Sequence, residues 1–532
     1  MARLVIFTSG TLGDHLPYLA LAQGLQGRGH DVLMVINRAM HRYAERVGLQ
    51  AVSLTDIERG PEEARENAWA WDHWRNPWQV AQSHPKAKAQ PPEMFIQQVK
   101  ELAGFLEGAD LLLATAIRPH GLAAQLVCDV PWVTLSVNPS AFVQPSNVAE
   151  QEQVSGAERL YYNGIRPVLD HAVREGGGKR LLPGWYRGCL WSPQVLLGSS
   201  PSFSAPDPNL LQPFASVEQT GFWYWEDPVW EDWRPSPELE SFCRRSPLVL
   251  AFSSQPLEEP GEILAKHARA AAKLQQPLLV QRGWAGFERS DLPAEVDPSQ
   301  VFFLDYAPHD WLFERASVAI QHGGIGSLAR AIRQYCPVVV EPFGNDQFFN
   351  AQRTAELGVG TVLHPFEATE ADIAAAVEGA LSKRVRLQAR HLGRQQREED
   401  GIGTTADLIE AALVRRRQRT PHSVQWGQRP LSMEDRREET IVGQTIPNII
   451  HHVWNDGQIP DHFRPWFESW RTYHPDWEFR LWTDADCRAL IAGHYAWFLP
   501  VYDAYTDDIK RLDAARYFIL HRHGGVYADV DY

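Results

Sequence analysis

The chain has 532 residues, a length that predicts about three domains, each large enough to bury a hydrophobic core. Its formal charge of -15 disfavours binding to nucleic acid or to an anionic membrane, because a polyanion is repelled outside local basic patches. No apolar run reaches the roughly 20 residues that cross a bilayer, and the five cysteines lack CxxC spacing, so we expect a cytoplasmic protein with no zinc site and no disulfide framework.

The first part of the chain alternates short apolar runs with amphipathic stretches. The pattern predicts a strand at 4–7, a helix at 17–27, and strands at 31–36, 111–114 and 132–135. This order is typical of a doubly wound α/β sheet with parallel strands. The residues from about 60 to 100 and from 145 to 190 are rich in Trp, Gln, Pro and charge, and they predict insertions around a cleft.

A second series of the same kind follows. Its predicted strands are at 248–252, 277–280, 301–304, 318–320 and 337–340, and a helical stretch ends near Arg417. We therefore predict two Rossmann-like domains, residues 1–235 and 246–418, that face a cleft. Residues 419–445 have the composition of a linker, and hydrophobic order resumes in a further segment, 446–532.

A glycine-bearing loop follows the first predicted strand and leads into a helix. It carries Asp14 and His15, and either side chain can remove a proton from an attacking hydroxyl group. The alternative for Asp14 is to cap the N-terminus of the following helix. The alternative for His15 is to line the cleft or the surface.

The sharpest motif is the sequence QHGGIGS at 321–327, between a predicted strand and a predicted helix. Glycines let the backbone come close to a ligand, and the free N–H groups of a helix N-terminus favour a phosphate without a metal. A glycine-rich turn is also common as a purely structural element, and that alternative stays open for the motif alone.

Neighbouring motifs give this region a family likeness. Together with 308–313, 342–347, 220–223 and 283–286, the motif resembles the GT-B glycosyltransferases, most closely their sterol 3β-glucosyltransferase-like and macrolide branches, over about residues 3–415. The resemblance implies that Asp14 is the catalytic base. It also implies a donor site made of Ser254, His309, Trp311, His322, Gly323, Gly324, Gly326, Ser327, Asp346 and Gln347.

Within that implied site, each residue takes the role that the family gives to its motif. His322 would contact the diphosphate, and the amides around Gly324 and Ser327 would hold phosphate oxygens. Asp346 and Gln347 would bind sugar hydroxyls. One departure concerns Ser253–Ser254, because the family usually has Gly-Ser there. The side chain of Ser253 narrows the turn, so Ser254 is the expected contact.

The C-terminal segment has a separate likeness. It ends in an Asp-x-Asp motif, Asp529 and Asp531, after a glycine turn, and it resembles the DXD-containing GT-A glycosyltransferases of the initiation-type mannosyltransferase and clostridial-toxin-like group. The resemblance implies that Trp454 stacks a base, that Asp513 and Arg516 hold the sugar, and that the two aspartates serve ribose and Mn²⁺ or Mg²⁺. Since the sequence stops at the motif, we expect this module to be a partial GT-A-like segment.

The resemblance implies transfer of a hexose, with glucose as the expected sugar, from a UDP-sugar to a hydroxyl of a hydrophobic acceptor such as a sterol, a lipid or a polyketide. The GT-B part would need no cofactor, the reaction would invert configuration, and any membrane contact would be peripheral. One alternative is metal-dependent transfer by the C-terminal module. Another is a non-catalytic scaffold that binds sugar nucleotides or lipids.

Overall fold

The computed structural model describes residues 1–55, 92–143, 166–177, 191–207, 216–417, 447–454, 456–460, 463–505 and 508–529. The predicted linker, Asp531 and most of the predicted cleft insertions lie outside these residues. Met1–His422 forms one compact unit, and Ser423–Tyr532 forms a second.

The first sheet of the larger unit has seven parallel strands in the order β3-β2-β1-β4-β5-β6-β7. They are β1 (Arg3–Phe7), β2 (Asp31–Val35), β3 (Gln50–Val52), β4 (Leu111–Thr115), β5 (Trp132–Ser136), β6 (Gln194–Leu197) and β7 (Ser216–Gln219). The helices are α1 (Leu12–Gly27), α2 (His41–Arg46), α3 (Pro92–Phe105), α4 (His120–Cys128) and α5 (Arg166–Glu175).

The near-continuous apolar sequence of the central strands β1, β4 and β5 reflects burial on both faces of the sheet. Leu4 and Ile6 pack into a core with α1, whereas Val5 and Phe7 pack into a second core with α3 and α4. The sheet is therefore covered by helices on both sides, as the sequence predicts.

The second sheet of this unit has six parallel strands in the order β10-β9-β8-β11-β12-β13. They are β8 (Leu248–Ala251), β9 (Leu278–Gln281), β10 (Val301–Leu304), β11 (Val318–Gln321), β12 (Val338–Val340) and β13 (Gly360–Val362). Two short helices precede it, α6 (Val229–Asp232) and α7 (Pro237–Cys243). Around it lie α8 (Pro260–Lys273), α9 (His309–Arg315), α10 (Ile325–Arg333), α11 (Gln347–Leu357), α12 (Glu370–Leu381) and α13 (Lys383–Glu398). The predicted GT-B arrangement of two Rossmann-like sheets is confirmed.

The last helix of the unit, α14 (Gly401–Arg417), returns to the first sheet. Its Ala406, Ile409 and Leu413 join the core that contains α1. The indole N–H of Trp223 donates to the Thr405 hydroxyl at 2.8 Å, which fixes the start of the helix to the end of the first half. A segment that the sequence groups with the second domain is thus packed on the first.

The smaller unit contains a three-stranded parallel sheet in the order β15-β14-β16. The strands are β14 (Ile449–Val453), β15 (Glu478–Trp482) and β16 (Val526–Tyr527). The helices are α15 (Arg464–Tyr473), α16 (Asp484–His494), α17 (Leu499–Ala504) and α18 (Asp508–His523). Cys487, Ile491, Tyr502, Ala515 and Ile519 form its buried core.

In the described part of the chain, no helix combines the length and hydropathy that a bilayer crossing requires.

Candidate functional site

In each half of the larger unit, a glycine loop joins a central strand to a helix at the carboxyl edge of the sheet. The loop after β1 leads into α1, and the loop after β11 leads into α10. In both sheets the strand order reverses beside these loops, between β1 and β4 and between β8 and β11. Such switch points are where open α/β sheets bind ligands.

Asp14 lies in the first turn of α1 and holds the preceding loop. Its Oδ2 accepts hydrogen bonds from the backbone N–H of Thr11 at 2.7 Å and from the Thr11 hydroxyl at 3.1 Å. Gly10 has a φ of +135°, and a Cβ there would lie only 2.3 Å from the same oxygen. Thr11 is the N-cap residue, and the carboxylate of Asp14 completes a capping box with it while remaining partly exposed.

His15 is fully buried, and both of its ring nitrogens contact the backbone. Nδ1 lies 2.8 Å from the carbonyl oxygen of Thr11, and Nε2 accepts from the Asn37 N–H at 3.3 Å. Burial lowers the pKa of the imidazole. In this structure His15 supports the loop through the backbone, and its role as a second candidate base stays a prediction.

The start of α10 is arranged differently. Gly323 has a φ of +90°, and a Cβ there would lie 2.7 Å from Val340 Cγ1, so only glycine fits the turn. Gly324 occupies the N-cap and has no side chain to cap the helix, and the first turn holds no acidic residue. A Cβ at Gly326 would meet no atom within 4 Å in the described part of the chain. The N–H groups of this turn are thus available to an anion.

His322 lies beneath this turn and is buried. Its Nε2 lies 2.4 Å from the position of a Cβ at Gly324, and its Nδ1 has no hydrogen-bond partner among the described residues. Burial, with a smaller contribution from His309, lowers the pKa of His322 to about 4. The ring is therefore neutral at pH 7, with one N–H to donate.

Two predicted donor-binding side chains on α9 are occupied within the protein. The Nε2 of His309 lies 3.0 Å from the side-chain oxygen of Gln281. Burial, with a smaller contribution from Arg330, lowers the pKa of His309 to about 4. The ring of Trp311 packs against Trp233 and lies 4.4 Å from the guanidinium carbon of Arg315. Both side chains thus contact neighbouring residues of the protein, and their roles as donor contacts stay predictions.

The loop before α11 carries the last predicted pair. The carboxylate of Asp346 accepts from Asn350 at 3.0 Å, and burial together with the charge of Asp14 raises its pKa to about 6. The carboxylates of the two halves are therefore close enough to interact. Gln347 instead ties the loop together, because its side-chain oxygen accepts from the Phe343 N–H at 2.8 Å.

Gln347 also donates to Gln255 at 2.9 Å and accepts from the Gly344 N–H at 3.2 Å. Its amide thus shapes the loop in this structure. The roles of Asp346 and Gln347 as sugar ligands stay predictions.

Tyr306, which sequence reasoning missed, follows β10 at the same edge of the second sheet. It is 48% exposed, and the indole N–H of Trp230 donates to its hydroxyl. Burial of the hydroxyl raises its pKa to about 12, so the phenol stays protonated. The available signal was an aromatic residue directly between a buried strand and the loop at 308–313.

In the smaller unit, several of the predicted residues lie together. Arg516 pairs with Asp513, and its guanidinium carbon lies 5.1 Å from the centre of the Tyr527 ring. The Tyr527 hydroxyl donates to Asp529 at 2.9 Å. Trp454 follows β14, and its ring lies 5.7 Å from that of Phe463. Among the described residues, which exclude Asp531, no group of three acidic, His or Cys side chains is arranged to hold a metal ion.

Three family models match successive parts of the chain. Residues 4–117 match the glycosyltransferase family 28 N-terminal domain, and 288–399 match the C-terminal domain of erythromycin biosynthesis protein CIII-like proteins. Residues 460–532 match the glycosyltransferase sugar-binding region containing a DXD motif. The chain thus has a GT-B fold whose two halves match glycosyltransferase family models, followed by a segment that matches a DXD-containing glycosyltransferase region. The predicted fusion is therefore confirmed.

The curated relatives that this chain matches include sterol 3-beta-glucosyltransferases. The Aspergillus clavatus protein is 25% identical over 510 residues, which cover 86% of this chain and 34% of the relative. The Arabidopsis thaliana protein UGT80B1 is 25% identical over 77% of this chain and 68% of its own length. The chain spans about a third of the length of the fungal relatives it matches.

Solved structures show the same fold. The calicheamicin glycosyltransferase CalG4 aligns with a TM-score of 0.57 and 19% identity over 78% of this chain and 99% of its own. The glycosyltransferase VinC, in complex with dTDP, aligns with a TM-score of 0.54 and 16% identity over 78% of this chain and 100% of its own.

Proposed function

We propose that the larger unit transfers a hexose, with glucose as the expected sugar, from UDP to a hydroxyl group of a hydrophobic acceptor. The reaction inverts configuration at the anomeric carbon and needs no metal in this unit. A sterol or another lipid alcohol is the expected acceptor, because the curated relatives are named for sterol glucosylation. A polyketide aglycone is the second acceptor class.

The uncapped start of α10 carries this proposal. A diphosphate placed there is stabilised by the free N–H groups of the first turn and by the positive end of the helix dipole. Gly326 leaves room for it, and His322 supplies a neutral N–H. In this way the leaving group is stabilised without a divalent cation.

The proposed catalytic base, Asp14, lies in the first half of the unit. As the acceptor oxygen bonds to the anomeric carbon and the bond to the diphosphate breaks, the hydroxyl proton passes to the carboxylate of Asp14. The two hydrogen bonds from Thr11 fix this carboxylate in one orientation. A single displacement of this kind inverts configuration and forms no covalent intermediate.

The nucleobase and the sugar have separate partners in this proposal. The exposed ring of Tyr306 offers a flat surface for the base at the edge of the second sheet. Asp346, whose carboxylate is held by Asn350, accepts hydrogen bonds from sugar hydroxyls.

The test measures UDP release from UDP-glucose by the full chain, with a pooled set of sterol, lipid and polyphenol acceptors, with and without EDTA. The wild type is compared with Asp14→Asn, which keeps an oxygen for the Thr11 N–H but cannot accept the proton. EDTA-resistant turnover that Asp14→Asn abolishes supports the proposal. EDTA-sensitive turnover that is indifferent to Asp14 overturns it, and donor binding with no turnover on any acceptor favours a non-catalytic scaffold.

A second activity is favoured by one observation in the smaller unit. Arg516, Asp513, Tyr527 and Asp529 form a connected set within the region that matches the DXD family. We propose that this set binds a second sugar nucleotide, with Mn²⁺ or Mg²⁺ supplying charge neutralisation at the DXD carboxylates. An increase in sugar-nucleotide binding on addition of Mn²⁺ that is absent in Asp529→Asn supports this; binding that neither Mn²⁺ nor the substitution changes contradicts it.

A further inference from the structure

The turn after β8 holds a serine in a backbone conformation that favours glycine. Ser253 has a φ of +49°, and its carbonyl oxygen accepts from the Trp284 N–H at 2.7 Å. A Cβ at Gly283 would lie 2.4 Å from that same oxygen, so the loops after β8 and β9 are locked together. An L-residue with a side chain is disfavoured here, and the serine therefore has to be explained by its side chain.

That side chain reaches the candidate donor site. The hydroxyl oxygens of Ser253 and Ser327 lie 3.0 Å apart, and Ser327 belongs to the first turn of α10. In a hydroxyl pair one group donates to the other, and the accepting hydroxyl keeps its own hydrogen. The pair thus fixes the rotamer of Ser327 and leaves one O–H for a third group.

Open space lies next to Ser327, at the start of α10. A Cβ added at Gly326, next to Ser327, would meet no atom of the described residues within 4 Å. Both serines of the pair are partly exposed, as is Ser254, the contact that the sequence predicts in the same turn. A diphosphate at the N-terminus of α10 is the ligand that a spare O–H beside free N–H groups would suit.

We propose that Ser253 is a positioning residue for the donor diphosphate. Its hydroxyl orients that of Ser327, and the pair donates one hydrogen bond to a phosphate oxygen. The inference rests on the proposed donor site and deepens it, because it assigns a function to the residue at which this chain departs from the Gly-Ser pattern.

The experiment measures the affinity of the full chain for UDP and for uridine in wild type, Ser253→Ala, Ser327→Ala and the double variant. Loss of a neutral hydrogen bond lowers affinity by about three- to tenfold, and we expect this loss for UDP in each single variant. The double variant should be no weaker than the weaker single variant, because the pair acts as one unit. Uridine affinity should be unchanged, since uridine has no phosphate.

Ser253→Gly distinguishes the effect of the hydroxyl group from the effect of the backbone conformation at residue 253. It should raise the thermal midpoint by about 2 °C, because glycine fits a positive φ, yet weaken UDP binding as much as Ser253→Ala does. Unchanged UDP affinity in both Ser253 variants, additive losses in the double variant, or an equal loss for uridine would each overturn the inference. A wild type that fails to bind UDP would instead overturn the proposed donor site.

Discussion

The two helix starts at the cleft, α1 and α10, have the same place in the same topology but opposite chemistry. At α1 the carboxylate of Asp14 occupies the helix N-terminus and accepts from Thr11. At α10 Gly324 provides no cap, and no acidic residue lies in the first turn. One start therefore already holds a negative charge, whereas the other is left for a negative ligand. This difference supports our proposal that the catalytic base lies in the first half and the phosphate site in the second.

The largest effect should follow from Asp14→Asn. The amide keeps an acceptor for Thr11 but cannot take a proton, so kcat should fall by about 10²- to 10⁴-fold while the Kd for UDP stays close to that of the wild type. Steady-state kinetics and calorimetry on the same preparation measure both quantities. A kcat within a fewfold of the wild type would show that the base lies elsewhere.

Gly326→Asp should place a carboxylate at the N-terminus of α10, where α1 already has that of Asp14. The position has room for a side chain, and a carboxylate there would repel a diphosphate, so UDP affinity should fall by at least about tenfold. Gly326→Asn, of the same shape without charge, is the control and should retain most of the affinity. Equal affinities for the Asp and Asn variants would argue against a phosphate at α10.

Asp346→Asn tests the raised pKa of Asp346 through the pH dependence of stability. The pKa of Asp346 is raised from 3.8 to about 6, so the folded state holds this proton more tightly than the unfolded state. Wild-type stability should therefore decrease as pH rises from about 4 to about 6. The variant should be more stable at pH 8 by on the order of 1–3 kcal/mol and equal at pH 3.5.

Urea denaturation at the two pH values measures this difference, and the exposed Asp232→Asn serves as the control. A stability gain for Asp346→Asn that is the same at both pH values would contradict the raised pKa. No gain at pH 8 would do so as well.

The smallest effect on catalysis should come from His15→Asn. The shorter amide cannot bridge Thr11 and Asn37, so stability should decrease by about 1–2 kcal/mol while kcat stays within about threefold. Thermal unfolding and steady-state rates provide the two readouts. A hundredfold loss of kcat with unchanged UDP affinity would indicate that His15 is the catalytic base.

The sequence allowed the sheets and the two loops to be predicted because their signals are local. Apolar runs such as Leu111–Thr115 mark strands buried on both faces, and glycines mark the turn before α10. The resemblance then supplied the roles of Asp14 and Asp346. These predictions need only short stretches of chain.

The contacts that the sequence does not predict involve distant partners. The side-chain amide of Gln347 donates a hydrogen bond to Gln255, which lies on another loop. The imidazole of His15 accepts a hydrogen bond from the N–H of Asn37, which follows β2. Likewise, the apolar face of α14 shows that the helix packs, but it does not show that α1 is the partner. The type of a residue does not show whether its polar groups are already hydrogen-bonded to residues that are distant in sequence.

The most direct test is an experimental structure of the full chain soaked with UDP. We expect diphosphate density at the N-terminus of α10, in contact with the backbone at Gly324 to Ser327 and with His322, and none beside Thr11 at the start of α1. Density for the diphosphate at the α1 loop, or only in the smaller unit near Arg516, would contradict the assignment of the phosphates to the second half.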